Sequence, residues 1–248
     1  MNRENRTPNQ HTTSVPVVLI RHAQSVWNSQ NLFTGWADPP LTELGIDEAH
    51  RAAHCLGEYD FEFDVAYSSR LQRAMATREI LLDDLQQSTV PCIDDWRLNE
   101  RHYGILQGVN KAEAAQRVGE QQVWRWRRGY NDKALPLHYT DPEHPRFDPL
   151  YADVDAERLP AVESLADTRA RVSEFWYEQV QPRIMHGERI LISAHGNTLR
   201  ALLMELDQMS VDDVESFEIP TGVPIVYYFD GQGRPLQWSY LEPCTAAA

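Results

Sequence analysis

The chain has 248 residues, of which 42% are hydrophobic and 10% aromatic, so it can bury the core of one large α/β domain. Its formal net charge of −14 at pH 7 argues against nucleic acid or an anionic membrane as a partner of the whole surface. A phosphate site in so acidic a chain would need a local cluster of positive charge. No window of about 18 apolar residues occurs, which argues against a membrane-spanning helix. The three cysteines have no metal-like spacing and are typical of a reducing compartment, so we expect a cytoplasmic protein.

Residues 1–14 are polar and are interpreted as a disordered extension that precedes a single domain over residues 15–248. Strands and helices alternate along that domain, as hydrophobic periodicity and helix-end signals indicate. In chain order the prediction is strand 15–20, a helix over the apolar positions from Leu41 to Leu56 with Thr42 able to cap its start and Gly57 its end, strand 63–67, helix 71–82, strand 90–93, helices 112–116 and 121–127, helix 165–179, strand 189–193, helix 198–206 and a last strand 223–229. The alternation predicts an α/β fold with a doubly wound, mostly parallel sheet flanked by helices.

A segment rich in Pro, Asp and His covers residues 138–160 and is predicted to be a long surface insertion. Its two histidines, His138 and His144, are predicted to lie at the surface. No other group of histidines and carboxylates has convincing ligand spacing, so the sequence predicts no metal site.

Polar residues follow two of the predicted strands where each strand ends. Arg21 and His22 leave the first strand, and His195 leaves strand 189–193, with Gly196 and Asn197 opening the next helix. Ligands of open parallel sheets bind beyond the carboxyl ends of the strands, and helix N-termini there favour phosphate. The two histidines can therefore face one phosphate-binding crevice. The alternative is that each histidine only satisfies a carbonyl of its turn.

Basic residues recur near the same predicted strand ends. Arg73 lies close behind the second strand, Arg101 and Lys111 lie at either end of one motif, and Arg127 and Arg128 are adjacent. They could focus a positive pocket, because the planar guanidinium binds phosphate through two parallel hydrogen bonds. The alternative is a set of solvated helix faces whose arginines pair with carboxylates one turn away.

Seven motifs between about Val17 and Tyr240 together resemble the cofactor-dependent phosphoglycerate mutases of the histidine phosphatase superfamily. They occur in the same order as in that family and at similar spacings. They are RHAQSVWN, FTGWADPPLTELG, YSSRLQRAMAT, LNERHYGILQGVNKAE, WRRGY, AHGNTLRAL and IPTGVPIVY. The resemblance implies a phosphoglycerate mutase-like fold and interconversion of 3-phosphoglycerate and 2-phosphoglycerate in glycolysis and gluconeogenesis. The reaction would pass through a phosphohistidine and 2,3-bisphosphoglycerate, which also primes the enzyme, without a metal.

The resemblance also implies catalytic roles for five residues. His22 matches the nucleophile, which must be neutral and held by an acceptor at one ring nitrogen. His195 matches a second, cationic histidine that binds the transferring phosphoryl group. Arg21 and Arg73 match the arginines that clamp this group, and Glu100 matches the general acid and base.

The remaining matches imply substrate contacts and partners. The substrate-binding set is Ser25, Asn28, Thr34, Gly35, Arg101, Tyr103, Lys111, Arg127, Arg128, Gly196 and Asn197. The expected partners are small phosphoglycerates and a second copy of the chain in a homodimer, with neither nucleic acid nor membrane.

Four features depart from the family pattern. Ala23 stands in place of Gly, Gln24 in place of Glu and Leu32 in place of Arg, and the C-terminal tail is short. A methyl group at Ala23 could crowd the phosphate or strain a position that needs a positive φ. A short tail would admit water, so we expect more hydrolysis of bisphosphoglycerate or weaker binding of it. The alternatives are a phosphatase that uses the same phosphohistidine, and a non-catalytic binding protein.

Overall fold

A six-stranded mixed sheet forms the centre of the computed structural model, which describes residues 14–241. The extension predicted for residues 1–14 lies, except for Ser14, outside the described residues, as does the tail after residue 241. The strands are β1 Val15–Arg21, β2 Val65–Ser68, β3 Cys92–Asp94, β4 Ile190–Ala194, β5 Pro224–Phe229 and β6 Pro235–Tyr240. Their order is β3-β2-β4-β1-β5-β6, in which the first four strands are mutually parallel and β5 is antiparallel to both neighbours.

Helices cover both faces of this sheet. They are α1 Val26–Ser29, α2 Glu43–Glu58, α3 Gln72–Asp84, α4 Lys111–Val118, α5 Glu120–Arg128, α6 Leu165–Phe175, α7 Gln181–Met185, α8 Gly196–Asp207 and α9 Val211–Ser216. The predicted fold class, an α/β protein with a mostly parallel sheet flanked by helices, is confirmed.

Strand β1 shows why the sheet is covered on both faces. Val17 and Leu19 join a core that includes residues of α6 and α8, whereas Val18 and Ile20 join a second core with residues of α2 and α3. All four side chains are fully buried. A continuous apolar run of this kind is typical of a strand between two helical layers, since successive side chains point to opposite faces.

All predicted strands and helices are present, with differences at their ends and four omissions. Gly57 lies inside α2, which continues to Glu58 and is capped by Tyr59, so the predicted helix end is wrong. The predicted helix 165–179 changes to a π-helical turn, Trp176–Val180, after α6. Strand β6 was not predicted because it is an edge strand with mostly exposed side chains. Helices α1, α7 and α9 were not predicted either, because they are too short to show a periodic pattern.

The segment 138–160 is a loop with two short 3₁₀ helices, Pro145–Phe147 and Pro149–Tyr151. The prediction that it lies at the surface is wrong for part of its length. Tyr151 and Leu159 are buried against Trp36 and Trp96 in one aromatic cluster. His144 is also buried, contrary to expectation, whereas His138 is exposed. Packing against distant aromatic residues is decided by the tertiary structure and leaves no local pattern.

Candidate active site

The carboxyl ends of β1 and β4 bring the two histidines together. These strands are parallel neighbours, with Arg21 paired to Ala194, and the His22 N–H donates to the Ala194 carbonyl at 2.8 Å. His195 follows β4 directly and is the N-cap residue of α8. Both imidazoles are buried, and their ring centroids are 4.9 Å apart. The two rings therefore lie side by side at the carboxyl ends of the parallel strands, as expected from their positions, although only His22 lines the cavity described below.

The ring of His22 has the orientation that a nucleophile needs. Its Nδ1 lies 2.7 Å from the Ala23 carbonyl oxygen, which accepts only from a protonated nitrogen, so Nε2 keeps its lone pair. The Arg73 Nε donates towards this Nε2 at 3.3 Å. Burial and the charges of Arg73 and Arg21 lower the pKa of His22 well below 6.5. The imidazole is therefore neutral at physiological pH.

His195 is held by its other ring nitrogen. The Nε2 lies 2.7 Å from the Ser69 Oγ, whereas Nδ1 is buried without a hydrogen-bond partner among the residues described. Burial, Arg73 and His22 lower the pKa of His195 well below 6.5. The protein alone thus favours a neutral His195, not the cation that was expected, because burial disfavours the charged form and the charges of Arg73 and Arg21 act in the same direction.

Two arginines, Arg73 and Arg21, lie close to His22. Arg73 donates from Nη1 to the Ala37 carbonyl at 2.8 Å and from Nη2 to the Gly35 carbonyl at 2.9 Å. Burial lowers the pKa of Arg73 to about 10, which leaves it charged at neutral pH. Arg21 donates from Nη1 to the Ile219 carbonyl at 2.7 Å, and its buried Nε has no partner within residues 14–241. Both guanidiniums are thus fixed by carbonyl groups and retain their charge for an anion.

Glu100 lies on an irregular segment that several contacts fix in place. Its Oε1 accepts from the backbone N–H groups of Arg101 at 2.8 Å and Asn197 at 3.2 Å. Its carbonyl accepts from the Trp36 indole at 2.6 Å and from Arg171 at 3.0 Å. The carboxylate is therefore positioned on the cavity that His22 also faces, where a general acid and base is needed.

One cavity, with about 680 Å³ of space including its open mouth, joins these groups. It is lined by most of the predicted residues, namely Arg21, His22, Asn28, Thr34, Gly35, Arg73, Glu100, Tyr103, Lys111, Arg127, Arg128, Gly196 and Asn197. Its wall carries six arginine or lysine side chains and two glutamates, in a chain whose formal net charge is −14. This local excess of positive charge fits a ligand with several negative charges.

Two residues predicted to contact substrate lie behind the cavity wall instead. Ser25 is fully buried and caps α1, and its hydroxyl donates to the Asn28 Oδ1 at 2.9 Å. Arg101 is also fully buried and donates from Nη2 to the Asn197 Oδ1 at 2.8 Å. Both orient an asparagine that does line the cavity. His195 is likewise fully buried and does not line the cavity.

Four wall residues were missing from the predicted set of site residues: Leu32, Arg200, Glu218 and Ile219. Arg200 follows Asn197 by one turn of α8 and donates to its Oδ1 and to the Arg127 carbonyl. The helical spacing of Arg200 from His195 and Asn197 could have indicated that its side chain lies near theirs. Glu218 precedes the turn before β5, and no local sequence pattern indicated that it lines the cavity. Burial, together with Arg101 and Arg128, lowers the pKa of Arg200 to about 9.

Lys111 begins α4 and donates from Nζ to the Leu32 carbonyl at 2.6 Å. Burial, followed by the charges of Arg127 and Arg21, lowers the pKa of Lys111 to about 8. This lysine therefore loses its charge closer to neutral pH than a solvated lysine does.

Among residues 14–241, no group of three or more His, Cys, Asp or Glu side chains could hold a metal ion. No helix in the same range is long and apolar enough to cross a membrane.

Known proteins share this sequence pattern and this architecture. A model of the histidine phosphatase superfamily (branch 1) matches residues 17–137 and 133–240. The alpha-ribazole phosphatase from Shigella flexneri has a TM-score of 0.70 at 22% identity, over 94% of this chain and 99% of that one. Phosphoglycerate mutase from Bacillus anthracis has a TM-score of 0.66 at 21% identity, over 91% and 92%. Mycobacterial glucosyl-3-phosphoglycerate phosphatase has a TM-score of 0.61 at 21% identity, over 92% and 97%. The solved structures share the fold and differ in their named activities, whereas the family match covers nearly the whole chain, which therefore belongs to branch 1 of the histidine phosphatase superfamily.

Proposed function

We propose that this protein is a phosphoglycerate mutase that interconverts 3-phosphoglycerate and 2-phosphoglycerate through phospho-His22 and 2,3-bisphosphoglycerate. The observation that carries the proposal is the number of cations in the cavity. Arg21 and Arg73 lie beside the histidines, and the wall adds Lys111, Arg127, Arg128 and Arg200. One phosphoryl group needs only the first pair. The others suit a second anionic group, and a phosphoglycerate has both a phosphate and a carboxylate.

The phosphoryl group would be held where unpartnered donors meet the nucleophile. In the first step the P–N bond of phospho-His22 breaks while a hydroxyl oxygen of 3-phosphoglycerate forms a new P–O bond. Arg73 lies at the His22 Nε2, and the buried Arg21 Nε and His195 Nδ1 have no partner among the residues described, so both remain available for the oxygens in transfer. The dianion would supply the negative charge that favours a protonated His195. Such fixed donors contribute most of the catalysis of phosphoryl transfer.

Glu100 would move the proton in both directions. Its carboxylate accepts the proton of the substrate hydroxyl as that oxygen attacks phosphorus, and returns it when the second transfer releases 2-phosphoglycerate. Between the two steps the bisphosphoglycerate reorients and gives its other phosphoryl group to His22. The cycle thus restores both the phosphohistidine and the carboxylate. Free 2,3-bisphosphoglycerate primes the first cycle.

A phosphatase on small phosphate esters is the second candidate. It would use the same phosphohistidine with water as the acceptor, and two of the three similar structures described above are named as phosphatases. Ala23, which stands in place of the family's Gly, gives the phosphatase hypothesis little support. Ala23 is buried, does not line the cavity and is not among the residues with positive φ. Its methyl group therefore neither crowds the phosphate nor strains the backbone.

The proposal is tested by following 3-phosphoglycerate by phosphorus NMR with chelator and a catalytic trace of 2,3-bisphosphoglycerate. We expect 2-phosphoglycerate to accumulate with little inorganic phosphate, and His22→Ala to abolish the conversion because it removes the phosphoryl acceptor. Inorganic phosphate without 2-phosphoglycerate would reject the mutase and favour the phosphatase. No turnover by the unaltered protein would favour a non-catalytic protein.

A further inference from the structure

One carboxylate of the cavity wall has no role in the proposed reaction. Glu218 precedes the turn before β5, and its main chain is fixed because its carbonyl accepts from the Tyr240 hydroxyl at 3.1 Å. Its Oε1 accepts a charge-assisted hydrogen bond from the Arg128 Nη2. Arg128 is the one hydrogen-bond partner of the Glu218 side chain among residues 14–241.

The surroundings of Glu218 are those of an anion site. The hydrogen bond from Arg128 lowers the pKa of the Glu218 carboxyl, and the charges of Arg200 and Arg127 act in the same direction. We call Arg127, Arg128 and Arg200 the second-anion subsite. They line the same cavity as Arg21 and Arg73 but are not the pair that would clamp the phosphoryl group at His22. The Glu218 carboxylate is thus bound where the second anionic group of a ligand would be bound.

Exposure decides whether this pair is permanent or displaceable. The Glu218 side chain is 70% exposed and that of Arg128 only 15%. A ligand anion that takes Arg128 therefore releases Glu218 into water, where its charge is solvated at little cost. The buried pair of Glu163 and Arg171 differs, with exposures of 4% and 6%, because separating it would leave an unpaired charge in the interior.

We propose that Glu218 is an internal competitor that occupies the second-anion subsite in the free protein and weakens the binding of any ligand with a second anionic group. The inference rests on the proposed function only in that the ligand has two anionic groups. For the mutase, such a competitor would help the bisphosphoglycerate intermediate to leave the subsite, as its reorientation requires.

Equilibrium binding to Glu218→Gln tests this with two probes that cannot be hydrolysed or transferred. 3-Phosphonopropionate has a phosphonate and a carboxylate, whereas propylphosphonate has the phosphonate alone. We expect Glu218→Gln to bind 3-phosphonopropionate about threefold more tightly or better at low salt, and propylphosphonate with unchanged affinity. The matched control is Glu62→Gln, which makes the same charge change at the surface pair of Glu62 and Arg189, outside the cavity.

Each other outcome overturns the inference. Weaker or unchanged binding of 3-phosphonopropionate would show that Glu218 positions Arg128 or has no effect on the ligand. Equal tightening of both probes, or the same tightening in Glu62→Gln, would show a general effect of net charge. Failure of 3-phosphonopropionate to bind any variant would show that the cavity does not take a second anion. Since neither probe is a substrate, these results are independent of the NMR assay for the mutase.

Discussion

The side chains around His22 show how burial sets their charges. Two buried imidazoles lie among arginines, so the pKa values of both are lowered and His22 stays neutral for attack. Burial lowers the pKa of Arg73 only to about 10, since the charges of Glu100 and Asp38 oppose that effect, so Arg73 keeps its charge in the same interior. The free site is therefore an arrangement of cationic donors around the neutral imidazole of His22.

We expect Arg73→Lys to lower kcat/KM for phosphoryl transfer about 100-fold or more. A lysine ammonium cannot bind the Gly35 and Ala37 carbonyls while also reaching the His22 Nε2, so the donor at the reacting phosphorus is lost. Steady-state kinetics measures the effect, with Arg51→Lys on the exposed part of α2 as the control. A loss below tenfold would contradict the role assigned to Arg73.

The pKa of Lys111, about 8, predicts a pH dependence of substrate binding. Lys111 is charged below this pH and neutral above it, so kcat/KM for an anionic substrate should fall as the pH rises from about 7 to about 9. Lys111→Arg should flatten the decline because arginine stays charged. Lys133→Arg, at the surface pair with Asp167, should leave the profile as it is. A profile that does not change in Lys111→Arg would assign the decline to another group.

At the scale of elements, one buried ion pair ties α6 to the segment that carries Glu100. Arg171 of α6 donates to the carbonyls of Arg97, Asn99 and Glu100 at 2.7, 2.8 and 3.0 Å. Its partner Glu163 accepts from the His102 N–H at 2.9 Å. These contacts fix the position of Glu100, which the proposed reaction uses as its general acid and base.

We therefore expect Arg171→Met to lower the free energy of unfolding by about 3–5 kcal/mol, because it leaves the Glu163 charge buried and unpaired. Denaturant unfolding measures the change. Arg189→Met removes the surface pair with Glu62 and Asp64 and should cost about 1 kcal/mol or less. Equal losses in the two variants would contradict a special role for the buried pair.

At the scale of the whole molecule, the charge is divided between surface and cavity. The chain is strongly acidic, yet the cavity wall has six basic side chains against two glutamates. The prediction that small polyanions bind and nucleic acid does not rests on this separation of charge, and it stays a prediction. A homodimer and a cytoplasmic location stay predictions, and sedimentation of the purified protein would test the first.

The sequence by itself determined the α/β class, the mostly parallel sheet and most of the cavity wall. Alternating apolar segments identify the strands and helices locally. Arg21, His22 and His195 lie at the carboxyl ends of two strands, and parallel pairing brings those ends to the same edge of the sheet. The recurrence of basic residues indicated Lys111, Arg127 and Arg128, and motif resemblance added Glu100; all four line the cavity.

Only the tertiary structure decided which polar side chains face the cavity and which support it from behind. Ser25 and Arg101 are buried behind two asparagines, whereas Arg200 and Glu218 reach the wall from elements far apart in the chain. Exposure and pairing depend on how distant elements pack, and a sequence pattern records only the periodicity of one element at a time. The edge strand β6 and the buried part of segment 138–160 escaped prediction for the same reason.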